Sequence, residues 1–219
     1  MFTVVSGKYS GEKFGRLISD DGLTANLFHR GEQAYKVFNC DFDKADVFKE
    51  AYIMSCIERL GLNATRVERV FCEGEHWIIE MNYIKDPVML ESLINAISAD
   101  DMAEVDRLIQ EMASLQHKIN TTKAYGLPSY KTYAADVIAN NPSLTGEQVE
   151  KTLAYLGTLP EGNGIVHGDY HPINIMYDRC DEGKLTVIDW RQGGAGGLGC
   201  DAARTYLNLR YPPIPELRR

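Results

Sequence analysis

GIVHGDYHPINIMY, residues 164–177, sets His167, Asp169, His171 and Asn174 within eight positions and flanks them with apolar residues on both sides. Two chemistries ask for such a cluster. A metal site would use the histidines, whose spacing of four can present two imidazoles on one helix face. Gly168 and Pro172 oppose a regular helix there, and no histidine follows His171 to complete a zinc site. A phosphoryl-transfer site would use the other two residues. Such a site needs an aspartate to orient a hydroxyl and accept its proton, and an asparagine five residues later to hold Mg²⁺. Asp169 and Asn174 have that spacing. A second carboxylate is then wanted from a following strand and turn, and Asp189 in LTVIDW, residues 185–190, stands in that place.

Outward from the cluster, the chain reads as two parts. Arg16–Ser19, Thr24–His29, Gln33–Asn39, Val67–Cys72 and His76–Tyr83 are β-compatible runs. They are separated by turn signals and by one helix at 43–60, marked by Val47, Ala51, Met54 and Ile57. Lys85-Asp86-Pro87 breaks this pattern, so the predicted boundary separates 1–84 from 85–219. The second part is mostly helical. Met102, Val105, Leu108, Ile109, Met112 and Leu115 predict one helix face behind Asp100-Asp101. Tyr133–Ala139 predicts another helix, and Thr145 with Gln148 forms a capping-box pattern. Strand-like pieces follow at Ile173–Tyr177 and Leu185–Asp189, then a helix over Asp201–Arg210. The fold class is α+β, a small β-rich lobe followed by a helical one.

HGDYHPINIM together with VIDW resembles the aminoglycoside phosphotransferase/choline kinase-like family, relatives of the protein kinases. The resemblance implies a bilobal protein-kinase-like fold and ATP- and Mg²⁺-dependent transfer of the γ-phosphoryl group to a hydroxyl of a small molecule. It implies Asp169 as the catalytic base and Asn174 and Asp189 as magnesium ligands, with His167 packed behind the loop and His171 anchoring it. The first lobe would supply Lys36, in QAYKVFN, for the nucleotide phosphates, and Glu50, in VFKEAYIM, to hold that lysine. DDGLTANLFHRG, residues 20–31, occupies the place of the phosphate-covering loop with Gly22 as its internal glycine. IIEMNYIKD resembles the strand entering the interlobe hinge, which makes the Asn82 carbonyl and the Ile84 amide candidate adenine partners. CDAARTYLNL resembles the family's D-x-A-R-T-x-L helix, with Asp201 and Arg204 read as ties between that helix and the loop.

GAGGLG, residues 194–199, fits a dinucleotide-binding pattern, but YPPIPELRR cannot supply the second parallel strand that such a unit requires. It is read as a glycine-rich loop. The family usually continues through further helices beyond the position of Arg219, so the expectation is either a naturally short or truncated member or a pocket completed by another subunit. That shortness and the glycine-poor loop leave a nucleotide-binding pseudokinase as the alternative function.

Composition sets outer limits. The net charge of −8 argues against a nucleic-acid partner. From Asp86 onward 18 acidic residues face 12 basic ones, which fits a cationic acceptor. Five cysteines without a C-x-x-C pair suit a reducing cytoplasm, and no apolar run approaches the roughly 20 residues of a membrane span. No membrane partner is expected, and the sequence carries no signal for an oligomeric state.

Overall fold

The computed structural model of the chain describes residues 11–19, 24–98, 100–181 and 184–211. It divides into two compact units, one running to Pro87 and including Asp178–Arg191, the other comprising Val88–Tyr177 and the chain from Gln192 on. The break falls beside Lys85-Asp86-Pro87. The return of Asp178–Arg191 to the first unit is a matter of tertiary packing that no linear boundary expresses.

The first unit is built on five antiparallel strands: β1 (Arg16–Ser19), β2 (Ala25–Arg30), β3 (Gln33–Phe38), β4 (Val67–Glu73) and β5 (His76–Asn82), in the order β1-β2-β3-β5-β4. Gly31 and Gly74 close the tight connections at φ +65° and +59°, where only glycine is unstrained. A one-turn helix α1 (Gly11–Phe14) brings Phe14 onto Phe28, Tyr35, Val37 and Ile78, the apolar face of the sheet. Helix α2 (Lys44–Arg59) starts where the Asp43 carboxylate accepts the Ala45 amide hydrogen and stops before Gly61 at φ +72°. Its Val47, Ala51, Met54 and Ile57 are buried, with Ile53 and Glu50 beside them.

The second unit carries α3 (Leu90–Ala96), α4 (Met102–Thr121), α5 (Tyr130–Ala139), α6 (Gly146–Thr158) and α7 (Gly199–Arg210). Short strands β6 (Pro87–Met89), β7 (Gly164–Val166), β8 (Ile175–Asp178), β9 (Lys184–Val187) and β10 (Gly194–Gly196) complete the element list, β9 belonging to the first unit. Helix α5 begins three residues before its predicted start because Ser129 caps it through the Thr132 amide. The capping box of α6 is present in full, Thr145 accepting from the Gln148 amide at 3.3 Å and Gln148 accepting from the Thr145 amide at 2.8 Å. The α4 face is narrower than its sequence suggests: Leu108, Met112 and Ile119 are buried, whereas Met102 and Ile109 are exposed.

Of the glycine-rich stretch read as a loop, Gly194–Gly196 is instead β10, paired antiparallel with β7. Its neighbours explain the composition. A Cβ on Gly164 would stand 2.0 Å from the Asn120 carbonyl oxygen, and one on Gly194 2.8 Å from that of Pro128. These glycines admit close backbone packing. Similarly, the segment read as a strand from Ile173 opens with a 3-10 turn over Pro172–Asn174, and extended structure begins only at Ile175.

Candidate active site

Lys36 lies in the middle of β3, opposite Leu27 on one side and Ile79 on the other. Its Nζ donates to Glu50 Oε1 at 2.6 Å and to Asp189 Oδ1 at 3.0 Å. Burial alone would lower the lysine pKa, but the two carboxylates outweigh it and raise the value, so the ammonium form is secured. Glu50 is 1% exposed, and its Oε2 has no hydrogen-bond partner. Burial pushes that carboxyl up, and the Lys36 charge pulls it back. Lys36 is therefore the group that makes the Glu50 charge tolerable.

Asp189 owes its position to a local device. Strand β9 ends at Val187, and the indole of fully buried Trp190 donates back to the Val187 carbonyl at 3.0 Å. The turn so closed leaves Asp189 at φ +61°, in the left-handed region that side chains rarely occupy. Such strain costs of order 1–3 kcal/mol and is concentrated at functional positions. Residues 63–64 hold the strand from the side. The Asn63 amide donates to the Leu185 carbonyl at 2.6 Å and to Thr186 Oγ1 at 2.7 Å, and Ala64 bridges Val187 in parallel.

Asn82 ends β5, with its amide N–H on the Arg66 carbonyl at 3.1 Å and its side-chain oxygen on the Arg66 N–H. Asn82 and Ile84 line a cavity of about 370 Å³ that also includes Asn63, Tyr83, Asp178 and Thr186. Gly22 lies outside the described residues.

In the second unit, β7 delivers the chain into His167-Gly168-Asp169. Gly168, at φ +84°, could take no side chain: a Cβ there would meet Gln192 at 2.8 Å and Tyr130 at 2.9 Å. His167 is fully buried and its Nδ1 accepts the Asp169 N–H at 3.2 Å. The Asn174 amide nitrogen donates to the Asp169 carbonyl at 3.0 Å and faces His171 Nε2 at 3.3 Å. That contact fixes which end of the amide is which, since a carbonyl accepts only from a donor. Asn174 therefore keeps its oxygen end for other partners.

The Asp169 carboxylate is held on one side by α7. Asn208 donates to Oδ1 at 2.9 Å, and Arg204 approaches the same oxygen with two nitrogens at 3.4 Å. His171 Nε2 stands 3.5 Å from Oδ2. Burial raises this carboxyl, yet the nearby His171 ring, the Asn208 hydrogen bond and the Arg204 charge prevail and hold it well below the usual carboxylate range.

Asp201 explains why the loop keeps its shape. It is fully buried, and its two oxygens accept the backbone N–H groups of His167 and Gly168, each at 2.8 Å, together with the Asn120 amide at 2.7 Å. Thr205 adds a bond to the Tyr170 carbonyl at 2.7 Å. Removing the acceptor in Asp201→Ala leaves these buried donors unsatisfied, so the unfolding free energy is expected to drop by roughly 3–5 kcal/mol. Urea denaturation reads this directly; a loss below about 1 kcal/mol would mean that the loop satisfies its amides some other way.

The motif thus brings Lys36, Glu50 and Asp189 together in one unit and Asp169, His171 and Asn174 together in the other. Asp201 and Arg204 reach the loop as their motif implied, whereas Asn120 and Asn208 are not legible in any motif. One signal for Asn208 was present: positions 201, 205 and 208 share a helix face, and all three are polar.

Taken separately, Asn174 in the second unit offers an amide oxygen and Asp189 in the first a carboxylate that is 40% exposed, and each is the type of oxygen ligand that Mg²⁺ takes. Among the described residues no group of three or more His, Cys, Asp and Glu side chains is placed to hold a metal ion, so the two-histidine alternative finds no third ligand there. Among the same residues no helix is long and apolar enough to cross a membrane.

A β-sheet unit and a helical unit with these side chains define a protein-kinase-like α+β fold. Residues 92–219 match the family model described as the phosphotransferase enzyme family (APH), and the chain belongs to that family. Solved structures agree on the fold. Aminoglycoside phosphotransferase APH(3'')-Id from Streptomyces rimosus, in complex with ADP and streptomycin, is 18% identical with a TM-score of 0.60, covering 88% of this chain and 78% of that one. A thermostable mutant of aminoglycoside phosphotransferase APH(4)-Ia is 17% identical with a TM-score of 0.58, covering 95% and 85%. Choline kinase LicA from Streptococcus pneumoniae is 17% identical with a TM-score of 0.53, covering 92% and 70%. No curated protein sequence matches significantly.

Proposed function

We propose that the protein transfers the γ-phosphoryl group of ATP to a hydroxyl of a small molecule, with residues 1–84 as the nucleotide-binding lobe and 85–219 as the catalytic lobe. The observation that carries this reading is Lys36, which joins buried Glu50 to Asp189 although Asp189 lies 153 residues away in sequence. An ammonium held this way is a fixed counter-charge for phosphates, and it costs no reorganisation when the nucleotide arrives.

Asp169 orients the acceptor hydroxyl and takes its proton. The hydroxyl oxygen forms a bond to the γ-phosphorus while the bond from that phosphorus to the bridging oxygen breaks. ADP leaves with the electron pair. Asn174 and Asp189 would hold Mg²⁺, which supplies neutralisation of the phosphate charge when bound. Gly22, with the loop around it, would cover the phosphates, and the backbone of Asn82 and Ile84 would meet adenine. The family and the ADP bound in a structural relative support nucleotide use. The acidic surplus supports a cationic acceptor, and the relatives' streptomycin and choline suggest where a screen should begin.

The experiment is thermal stability with ATP, with and without magnesium, on the wild type and on Asp189→Asn. With ATP at about 100 times its Kd, binding is worth ~2.7 kcal/mol and raises the midpoint by several degrees. The rise should require magnesium and vanish in the variant. An acceptor screen with aminoglycosides, choline and sugars follows, reading ADP release. Magnesium-dependent binding with no transfer to any acceptor would favour the pseudokinase alternative. Absence of any shift would overturn the nucleotide site itself.

A further inference from the structure

Helix α7 turns an unusual face inward. Its inward stripe runs through buried Asp201 and Thr205 and half-buried Asn208, whereas Tyr206, Leu207 and Leu209 are exposed. A helix normally buries its apolar stripe, so a polar one must be explained by what it binds. Asp201 and Thr205 bind backbone: the amides of His167 and Gly168 and the carbonyl of Tyr170. Those bonds already dock the helix against the loop on either side of Asp169. Asn208, one turn further on, reaches the Asp169 side chain itself, at 2.9 Å from Oδ1.

We infer that Asn208 is a positioning residue for phosphoryl transfer, binding Oδ1 of Asp169 so that Oδ2 is the oxygen presented to the acceptor hydroxyl. The inference rests on the reading of Asp169 as the base. A carboxylate turns readily about its last torsion, and its two oxygens are equivalent until something distinguishes them. Here Asn208 makes the shortest contact to Oδ1, and Arg204 reinforces it at 3.4 Å. Oδ2 has His171 at 3.5 Å, beyond the usual hydrogen-bond range, and so retains capacity for a short bond from a hydroxyl. The chemistry of the residue also fits. A neutral amide donor fixes the direction of a base without adding a full positive charge beside it. A lysine at 208 would orient Asp169 as well but would weaken it as a proton acceptor.

Two variants separate positioning from scaffolding. Asn208→Leu keeps the branched shape, with somewhat more bulk, and removes the donor; Asn208→Ala removes both shape and donor. Turnover of Mg-ATP, with water as acceptor and ADP release as readout, is expected to fall about 10- to 100-fold in kcat in both variants. KM for ATP should change by less than about twofold, and the thermal midpoint by no more than about 2 °C. Unchanged kcat in Asn208→Leu overturns the inference, as does a drop in kcat that merely follows a loss of folded protein. A second measurement does not depend on turnover. The side-chain amide of Asn208, followed by ¹⁵N NMR, should shift and exchange faster in Asp169→Ala. No change there overturns the inference. A clear change in a protein that turns over no ATP overturns the phosphotransferase reading instead.

Discussion

Asp169→Asn is expected to lower kcat for phosphoryl transfer by about 10³-fold with little effect on KM for ATP. The substitution is isosteric, and the surroundings dictate how the new amide lies. Asn208 and Arg204 both present donors to the Oδ1 position, so the asparagine oxygen is drawn there. The amide NH₂ then occupies the place of Oδ2. An NH₂ group has hydrogens where the reaction needs lone pairs, and it can neither orient a hydroxyl by accepting from it nor take its proton. Steady-state kinetics on the acceptor found by screening, or on water, measures the loss. A variant that keeps kcat within about fivefold would remove Asp169 from the role of base.

Lys36→Met strikes both stability and turnover, and the two effects can be pulled apart. Removing the ammonium leaves Glu50, 1% exposed, with neither oxygen bound. Breaking a buried pair on one side costs roughly 3–5 kcal/mol, because a charge stays behind without its partner. The double variant Lys36→Met/Glu50→Leu removes both charges and is expected to recover most of that stability. Turnover of Mg-ATP should stay down by about 10²- to 10³-fold in the single and the double variant alike, since the phosphates have lost their counter-charge in both. Urea midpoints alongside ADP release give the two readings. A single variant as stable as the wild type would show that Glu50 does not depend on Lys36. A double variant with restored turnover would remove Lys36 from the site.

Much of this architecture is legible residue by residue. The capping box at Thr145 and Gln148, the α2 repeat of Val47, Ala51, Met54 and Ile57, and the strands flanking Gly31 and Gly74 are local, and local chemistry decides them. Short elements are less legible. Strands β7 and β10 hold three residues each, too few for alternation to register, and β10 is written in glycines whose purpose is the backbone across from them. The outer part of the α4 face looked buried by its spacing, yet Met102 and Ile109 are exposed, because spacing records a face and not what covers it.

The sequence by itself determined which residue types are at hand for the proposed chemistry: an aspartate and an asparagine five apart, a strand lysine, a helix glutamate and an aspartate after a strand. These choices are constrained within short segments, where spacing and functional groups are all that matter. The tertiary structure alone decided the meetings. Lys36 finds Asp189 across 153 residues, and Asn208 finds Asp169 across 39. Asp201, read from its motif as a tie to the loop, takes the particular amides of His167 and Gly168 only in the folded unit. Periodicity records only how a segment buries its own face. Which polar atom ends within 3 Å of which carboxylate follows from packing of the whole unit, where a buried donor must find an acceptor wherever the fold supplies one.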